Sequence, residues 1–213
     1  MKRLSTTSFA VLGLLALRPW TTYELAQEMQ RSIRQVWPRA ESGLYEEPKM
    51  LVARGLARAK HDMVGRRPRT TYAITAKGRR EVSRWLREAE ATYPQTESEA
   101  LLKVLFAEQG SRDDLLVTLA SIRREAEERR QWLASIANEI STAQGPWPFP
   151  QRAHVNFLYV SFLIEQSAAT SRWAKSAERQ ARSWPDDIAE APRRDFGTKL
   201  RALARQASKG NRR

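Results

Sequence analysis

Apolar side chains fill most positions between Phe9 and Leu17, immediately after the hydroxyl cluster Ser5, Thr6 and Thr7. A capping cluster ahead of a nearly unbroken apolar run predicts a first helix buried on all sides. Arg18-Pro19-Trp20 breaks it, and Thr21-Thr22-Tyr23-Glu24 reads as a capping box that opens a short second helix with Leu25, Ala26 and Met29 inside. A linker carrying Ile33, Val36, Trp37 and Pro38 leads to a third helix predicted over 40–54, with Leu44, Pro48, Leu51 and Val52 as its stripe and Gly55 as its stop. Removing that stripe leaves Ser42, Tyr45, Glu46, Lys49 and Ala53 on the opposite face, turned toward something outside the domain. The period then changes. Residues 57–62 and 69–75 read as strands joined by the turn Gly65-Arg66-Arg67-Pro68, with Tyr72 and Ile74 on one face and Thr71 and Ala73 on the other, so that one face can lie on the helices. Thr75 caps a fourth helix, with Val82, Trp85, Leu86 and Ala89 on its inner side, that runs to Tyr93-Pro94.

Beyond that proline the pattern is helical only. Residues 97–108 carry Leu101, Leu102, Val104, Leu105 and Phe106. After Gly110-Ser111 a long helix follows, with Leu115, Leu119, Ile122, Ala126, Leu133, Ile136 and Ile140 at heptad-like spacing and Arg129 as an imperfection in the seam. The run Gly145-Pro146-Trp147-Pro148-Phe149-Pro150 is not helical. It precedes a helix over 152–183 whose expected stripe is Val155, Leu158, Phe162, Ala169 and Trp173. The expected architecture is therefore mostly α with a small β-hairpin wing: a winged helix-turn-helix over 1–92, an all-α dimerisation domain over 95–184 and a basic tail over 185–213. Self-pairing is expected because the 115–140 stripe would otherwise expose too much apolar surface.

Charge sharpens this picture. The net charge is +13, and it is segregated: +9 in residues 1–90, −3 in 91–192 and +7 in 193–213. Such an excess favours a polyanionic partner. The run Phe9 to Leu17 is too short to cross a bilayer and no small-residue cleavage site follows, so a cytoplasmic protein with no membrane partner is expected. The chain has no cysteine, which excludes disulfides, thiolate metal sites and cysteine nucleophiles. It also lacks a phosphate-cradling glycine loop and a nucleophile elbow. His61 and His154 stand alone, far from any second-ligand pattern. Neither catalysis, cofactor nor metal is expected.

Three helices, the third with a polar outer face, followed by a strand pair tipped with arginine, form the arrangement that places one helix in the major groove and guanidinium groups on phosphates. Leu44-Tyr45, then Leu51 to Gly55-Leu56, then Gly65-Arg66-Arg67-Pro68-Arg69-Thr70-Thr71-Tyr72-Ala73-Ile74-Thr75 with Gly78, resemble the recognition helix and wing of the PadR family; Phe9 to Leu17, with Gly13-Leu14-Leu15, is similar to its first helix. The resemblance implies a homodimeric transcriptional regulator, usually a repressor, that binds double-stranded DNA at a palindromic operator and leaves it when a small-molecule effector binds. Carried over by residue, it assigns DNA contact to Ser42, Tyr45 and Lys49 on the third helix and to Arg66, Arg67 and Arg69 on the wing. Pro48 departs from the leucine common there; a proline inside a helix removes a hydrogen bond and bends the axis, which would alter how Lys49 is presented. Trp132, Trp147 and Trp173, with Phe149, are candidates to receive a flat aromatic effector. The competing reading is a winged-helix protein-interaction module in a structural assembly; it calls for an apolar or acidic outer face on the third helix, where this chain has Ser42, Tyr45 and Lys49.

Overall fold

The computed structural model describes residues 4–38, 45–65, 67–88, 96–142, 149–191 and 193–209. The chain divides into two units, residues 1–94 and 95–213.

The first unit is built around α1 (Thr6–Leu17), whose cap is a full box: Ser5 Oγ accepts from the Ser8 amide, and the Ser8 hydroxyl accepts from the Ser5 amide. Phe9, Val11, Leu12, Leu14 and Leu15 are all buried, as an apolar run without a polar face requires. The chain then makes a two-residue strand, β1 (Trp20–Thr21), that periodicity does not reveal, and enters α2 (Thr22–Arg31) through the capping box of Thr21 and Glu24. Trp20 is buried and its indole N–H donates to the Leu14 carbonyl at 2.7 Å. Helix α3 (Glu47–Ala53) precedes β2 (Ala57–Val64), β3 (Arg67–Ile74) and α4 (Ala76–Arg87). The three strands form one antiparallel sheet in the order β1-β3-β2, with Trp20 opposite Tyr72 and Ala57 opposite Ile74.

Two expectations change here. The third helix begins at Glu47 after a turn at Tyr45 and Glu46, and positions 40–44 lie outside the described residues. Pro48 therefore occupies the first turn of α3, where its missing N–H has no intrahelical partner, and it opens the helix instead of bending it. The wing strands are also longer than predicted: Met63 and Val64 extend β2, while Arg67 and Pro68 belong to β3, and Val64 pairs with Arg67 across a tight turn that opens at Gly65. Gly65 has φ +60°, the left-handed conformation that such a tight turn demands and that glycine adopts freely. On α4 the expected inner face is only partly covered. Trp85 stacks on Phe9 with ring centroids 4.9 Å apart, Leu86 is exposed, and Ala89 lies outside the described residues.

The second unit holds α5 (Glu99–Leu105), the long helices α6 (Arg112–Thr142) and α7 (Ala153–Ala181), and α8 (Arg193–Lys209). Helices α6 and α7 pack along their length as an antiparallel pair. Of the predicted α6 stripe, Leu115, Leu119, Ile122, Ala126, Leu133 and Ile136 are buried and Ile140 is half-buried, and much of the cover comes from its own chain. On α7 the buried positions are Val160, Leu163, Ser167, Ala174, Glu178 and Ala181. That is a different face from the one expected: Val155, Leu158, Phe162, Ala169 and Trp173 all point outward. Glu178, only 7% exposed, meets Arg123 at 2.8 Å across the helix pair, and Ser171 donates to Glu127 at 3.1 Å, so the register of α6 against α7 is set by named polar contacts.

Gly78 marks the tightest approach in the first unit. A Cβ there would stand 2.2 Å from the Leu56 carbonyl oxygen and 2.8 Å from Ile74 Cγ1. Gly78→Ala is expected to destabilise this unit by about 1–3 kcal/mol, read as a lowered urea midpoint; an unchanged midpoint would show that α4 moves away freely.

Candidate nucleic-acid interface

Helix α3 turns Pro48 and Leu51 into the core, and Tyr45, Glu46, Lys49 and Ala53 emerge on its other side. Ser42 lies outside the described residues. Lys49 Nζ sits 2.8 Å from Glu46 Oε1, and this hydrogen bond together with the carboxylate's charge pushes the ammonium pKa further up, so the lysine stays cationic. Glu47 faces inward. It accepts from Ser5 Oγ at 3.1 Å and from the buried Ser8 Oγ at 2.9 Å, tying the first residue of α3 to the cap of α1 with charge-assisted bonds. The exposed face of α3 is thereby held by the most buried helix of the unit.

In the wing, Arg58, Lys60 and Asp62 alternate along β2 opposite Ala73, Thr71 and Arg69, so among the described side chains the outer face of the hairpin carries three cations and one carboxylate. Asp62 pairs with Lys60 at 3.1 Å. Arg69 is exposed and makes no ion pair among the described residues. Arg66 lies outside the described residues, and Arg67 is described only by its backbone pairing with Val64.

Pairing of β1 with β3 has a further effect: it carries the first turn of α2 alongside the wing. Thr22 and Tyr23 then face Pro68, Arg69 and Thr70 across an open cleft of about 520 Å³, with Thr21 and Glu24 at its side. Tyr23 is exposed, and its hydroxyl accepts from Gln27 Nε2 at 2.9 Å. Burial acts to raise the pKa of Glu24. The hydrogen bonds from the Thr21 amide and hydroxyl and from Arg18 outweigh it, so the carboxyl sits below its ordinary value. Arg18, 3.1 Å from Glu24 and 3.6 Å above the Trp20 ring, balances that charge. What remains at the cleft is a set of hydroxyls beside one guanidinium, the donor chemistry that phosphate oxygens accept. Thr22 and Tyr23 are not among the residues that the pattern of the chain marks for nucleic-acid contact. The signal for them was positional: in a helix-turn-helix, the helix before the recognition helix crosses the nucleic-acid backbone.

The aromatic candidates are not gathered together by these features. Trp132 on α6 and Trp173 on α7 are 37% and 42% exposed, neither lines the cleft above, and Trp147 lies outside the described residues. His61 contacts Thr70 Oγ1 at 3.1 Å, and among the described residues no three metal-ligating side chains cluster. No described helix is long and apolar enough to cross a membrane. Two basic residues of α4 close helix ends: Lys77 donates to the Arg54 carbonyl at 2.9 Å and Arg79 to the Ala16 carbonyl at 3.2 Å.

Residues 11–84 match the model of the transcriptional regulator PadR-like family, and residues 97–182 that of the virulence activator alpha C-terminal domain. Among solved structures, Bacillus subtilis PadR in complex with operator DNA is similar at 19% identity and a TM-score of 0.69, over 83% of this chain and 99% of that one. The same protein in complex with p-coumaric acid matches at 18% identity and 0.64, over 85% and 99%. The Vibrio cholerae virulence activator AphA matches at 18% and 0.61, over 84% and 99%. At such identities the likeness is one of fold. No curated protein matches the chain in sequence.

If Arg69 meets a phosphate, Arg69→Gln weakens binding to every duplex by a similar factor and lowers the slope of log K against log salt by about 1. Fluorescence anisotropy at four salt concentrations reads both effects, and a slope equal to that of the unaltered protein would remove Arg69 from the interface.

Proposed function

We propose that this chain, which belongs to the PadR-like family of transcriptional regulators, is a cytoplasmic repressor that binds a palindromic operator as a homodimer and is released by a small aromatic effector. The observation that carries the DNA-reading part is the polar, cationic outer face of the first unit: Tyr45 in the turn before α3, Lys49 on α3, and Arg69 on the wing beside the hydroxyls of Thr22 and Tyr23. On this reading α3 enters the major groove, Ser42, Tyr45 and Lys49 meet base edges and phosphates, and Arg66, Arg67 and Arg69 hold the backbone. The function is binding, with no catalytic step.

Pairing of two chains is supported by the second unit. Outward Leu158 and Phe162, 68% and 44% exposed, continue with Val155 and Trp173 along α7, and Leu102, Leu105 and Phe106 are exposed at α5. An apolar surface of this extent on a regulator calls for a protein partner, and a second copy supplies one of matching chemistry. Two recognition helices then reach half-sites about 34–36 Å apart. The effector part draws on the relative whose structure contains p-coumaric acid, and Trp132, Trp147 and Trp173 are the aromatic residues proposed to meet such a ligand.

Anisotropy of labelled duplex from upstream of the protein's own gene, against a shuffled duplex of equal composition, tests the reading directly. A preference of about 10³ or more for the native duplex, falling steeply with salt, is expected; equal binding to both would oppose sequence-specific regulation from that site. Adding p-coumaric acid or another small phenolic acid should lower the anisotropy on the native duplex. For pairing, sedimentation equilibrium at micromolar concentration should give twice the 24.5 kDa chain mass, and Leu158→Asp with Phe162→Asp should give the single mass with helix content retained. A monomer before any substitution would sink the dimer.

A further inference from the structure

Helix α8 stands apart from its unit in charge. From Phe196 to Arg213 there is no Asp or Glu, and residues 193–213 carry a net +7 against −3 for residues 91–192. Three arginines of α6 meet carboxylates: Arg112 with Asp186 at 2.6 Å, Arg123 with Glu178 at 2.8 Å and with Glu127 at 3.3 Å, and Arg124 with Glu128 at 4.0 Å. In α8 Arg201 and Arg205 make no ion pair among the described residues; Arg201 donates only to Thr198 Oγ1, at 3.1 Å. The two guanidinium groups lie one helical turn apart, where like charges repel, and they border a shallow concave patch completed by Thr198, Ala202 and Gln206. The helix is nevertheless anchored. Phe196 packs edge-on against Trp184 at 5.5 Å, and Lys199 spans the Phe196 ring at 4.7 Å and reaches Gln180 at 3.4 Å. It begins beyond residue 182, where the match to the family models ends.

We propose that the Arg201–Arg205 face of α8 is a second, sequence-independent site for the phosphate backbone of duplex DNA. This rests on the DNA-binding reading above and extends it from the first unit to the terminal helix. Two closely spaced guanidinium groups with no carboxylate partner among the described residues, flanked by the Thr198 hydroxyl and the Gln206 amide, present cationic donors that suit phosphate oxygens, on a surface patch with no acidic group among the described residues that line it. An anionic lipid surface shares the charge chemistry but draws on apolar insertion. Phe196 is engaged with Trp184, leaving Leu200 and Leu203 as the large apolar side chains exposed on the described helix, too little area for stable anchoring.

The test titrates the full chain and its Arg201→Gln, Arg205→Gln double variant against the native and shuffled duplexes at several salt concentrations. Glutamine keeps helix propensity, and circular dichroism checks that α8 persists. Loss of two phosphate contacts lowers the slope of log K against log salt by about 1.8 on both duplexes and weakens both by the same factor, leaving their ratio unchanged. Arg201→Lys with Arg205→Lys keeps the charge and should keep the slope. A slope unchanged in the glutamine variant overturns the proposal, as does an equal drop in the lysine variant, which would mark a packing effect. Anionic phospholipid vesicles bound by the full chain and released by Leu200→Ser with Leu203→Ser would assign the helix to a membrane surface. If the unaltered chain shows no preference for the native duplex, the regulator reading fails; if that preference holds while the slope stays put, only the α8 site fails.

Discussion

Helix α7 carries apolar side chains on two faces, and α6 covers only one of them. Val160, Leu163 and Ala174 close against the rest of the unit, with the Arg123–Glu178 pair fixing the register. Val155, Leu158, Phe162 and Trp173 are left looking outward. Burial of a large apolar side chain is worth about 1.5–3 kcal/mol, so a row of such residues left in water is a standing drive toward association. That drive, and not the α6 seam suggested by the heptad-like spacing, is the physical basis on which a second chain would join.

The reading head is stabilised by a different kind of contact. Helix α3 is only seven residues long and would not hold its place by propensity alone. Its position is set by Leu51 in the core, by Pro48 in the first turn and by Glu47 gripping Ser5 and Ser8 of α1. The two-residue strand β1 does the same for α2, pinning its first turn beside Arg69 through the pairs Trp20 with Tyr72 and Thr21 with Thr71. Short-range polar contacts thus place the exposed donors, and the apolar core only supplies the platform.

Much of this was legible in the residues. The capping clusters at Ser5 and Thr21, the glycine stop at Gly55 and the alternation around Tyr72 and Ile74 each name a local structure, and the structure has them. Less legible was anything decided by which face meets which neighbour. The helix that contains Leu158 and Phe162 has two apolar stripes, and spacing alone cannot say which one its own chain will cover. Pro48 was misread for a related reason: its effect depends on where the helix starts, and no capping side chain precedes Glu47 to announce that start. Strand β1 is too short to show a period, so the proximity of Thr22 and Tyr23 to the wing was hidden until the sheet closed.

Pairing of two chains through the uncovered face of α7 would let one duplex be read twice. The most direct measurement is the stoichiometry on the bound duplex, by sedimentation equilibrium of the protein with a labelled operator carrying both half-sites. Two chains should bind one duplex together with no one-chain complex at sub-saturating protein, whereas the Leu158→Asp, Phe162→Asp variant should show a complex lighter by one chain of 24.5 kDa under the same conditions. A saturated complex with a single unaltered chain per duplex would contradict this pairing.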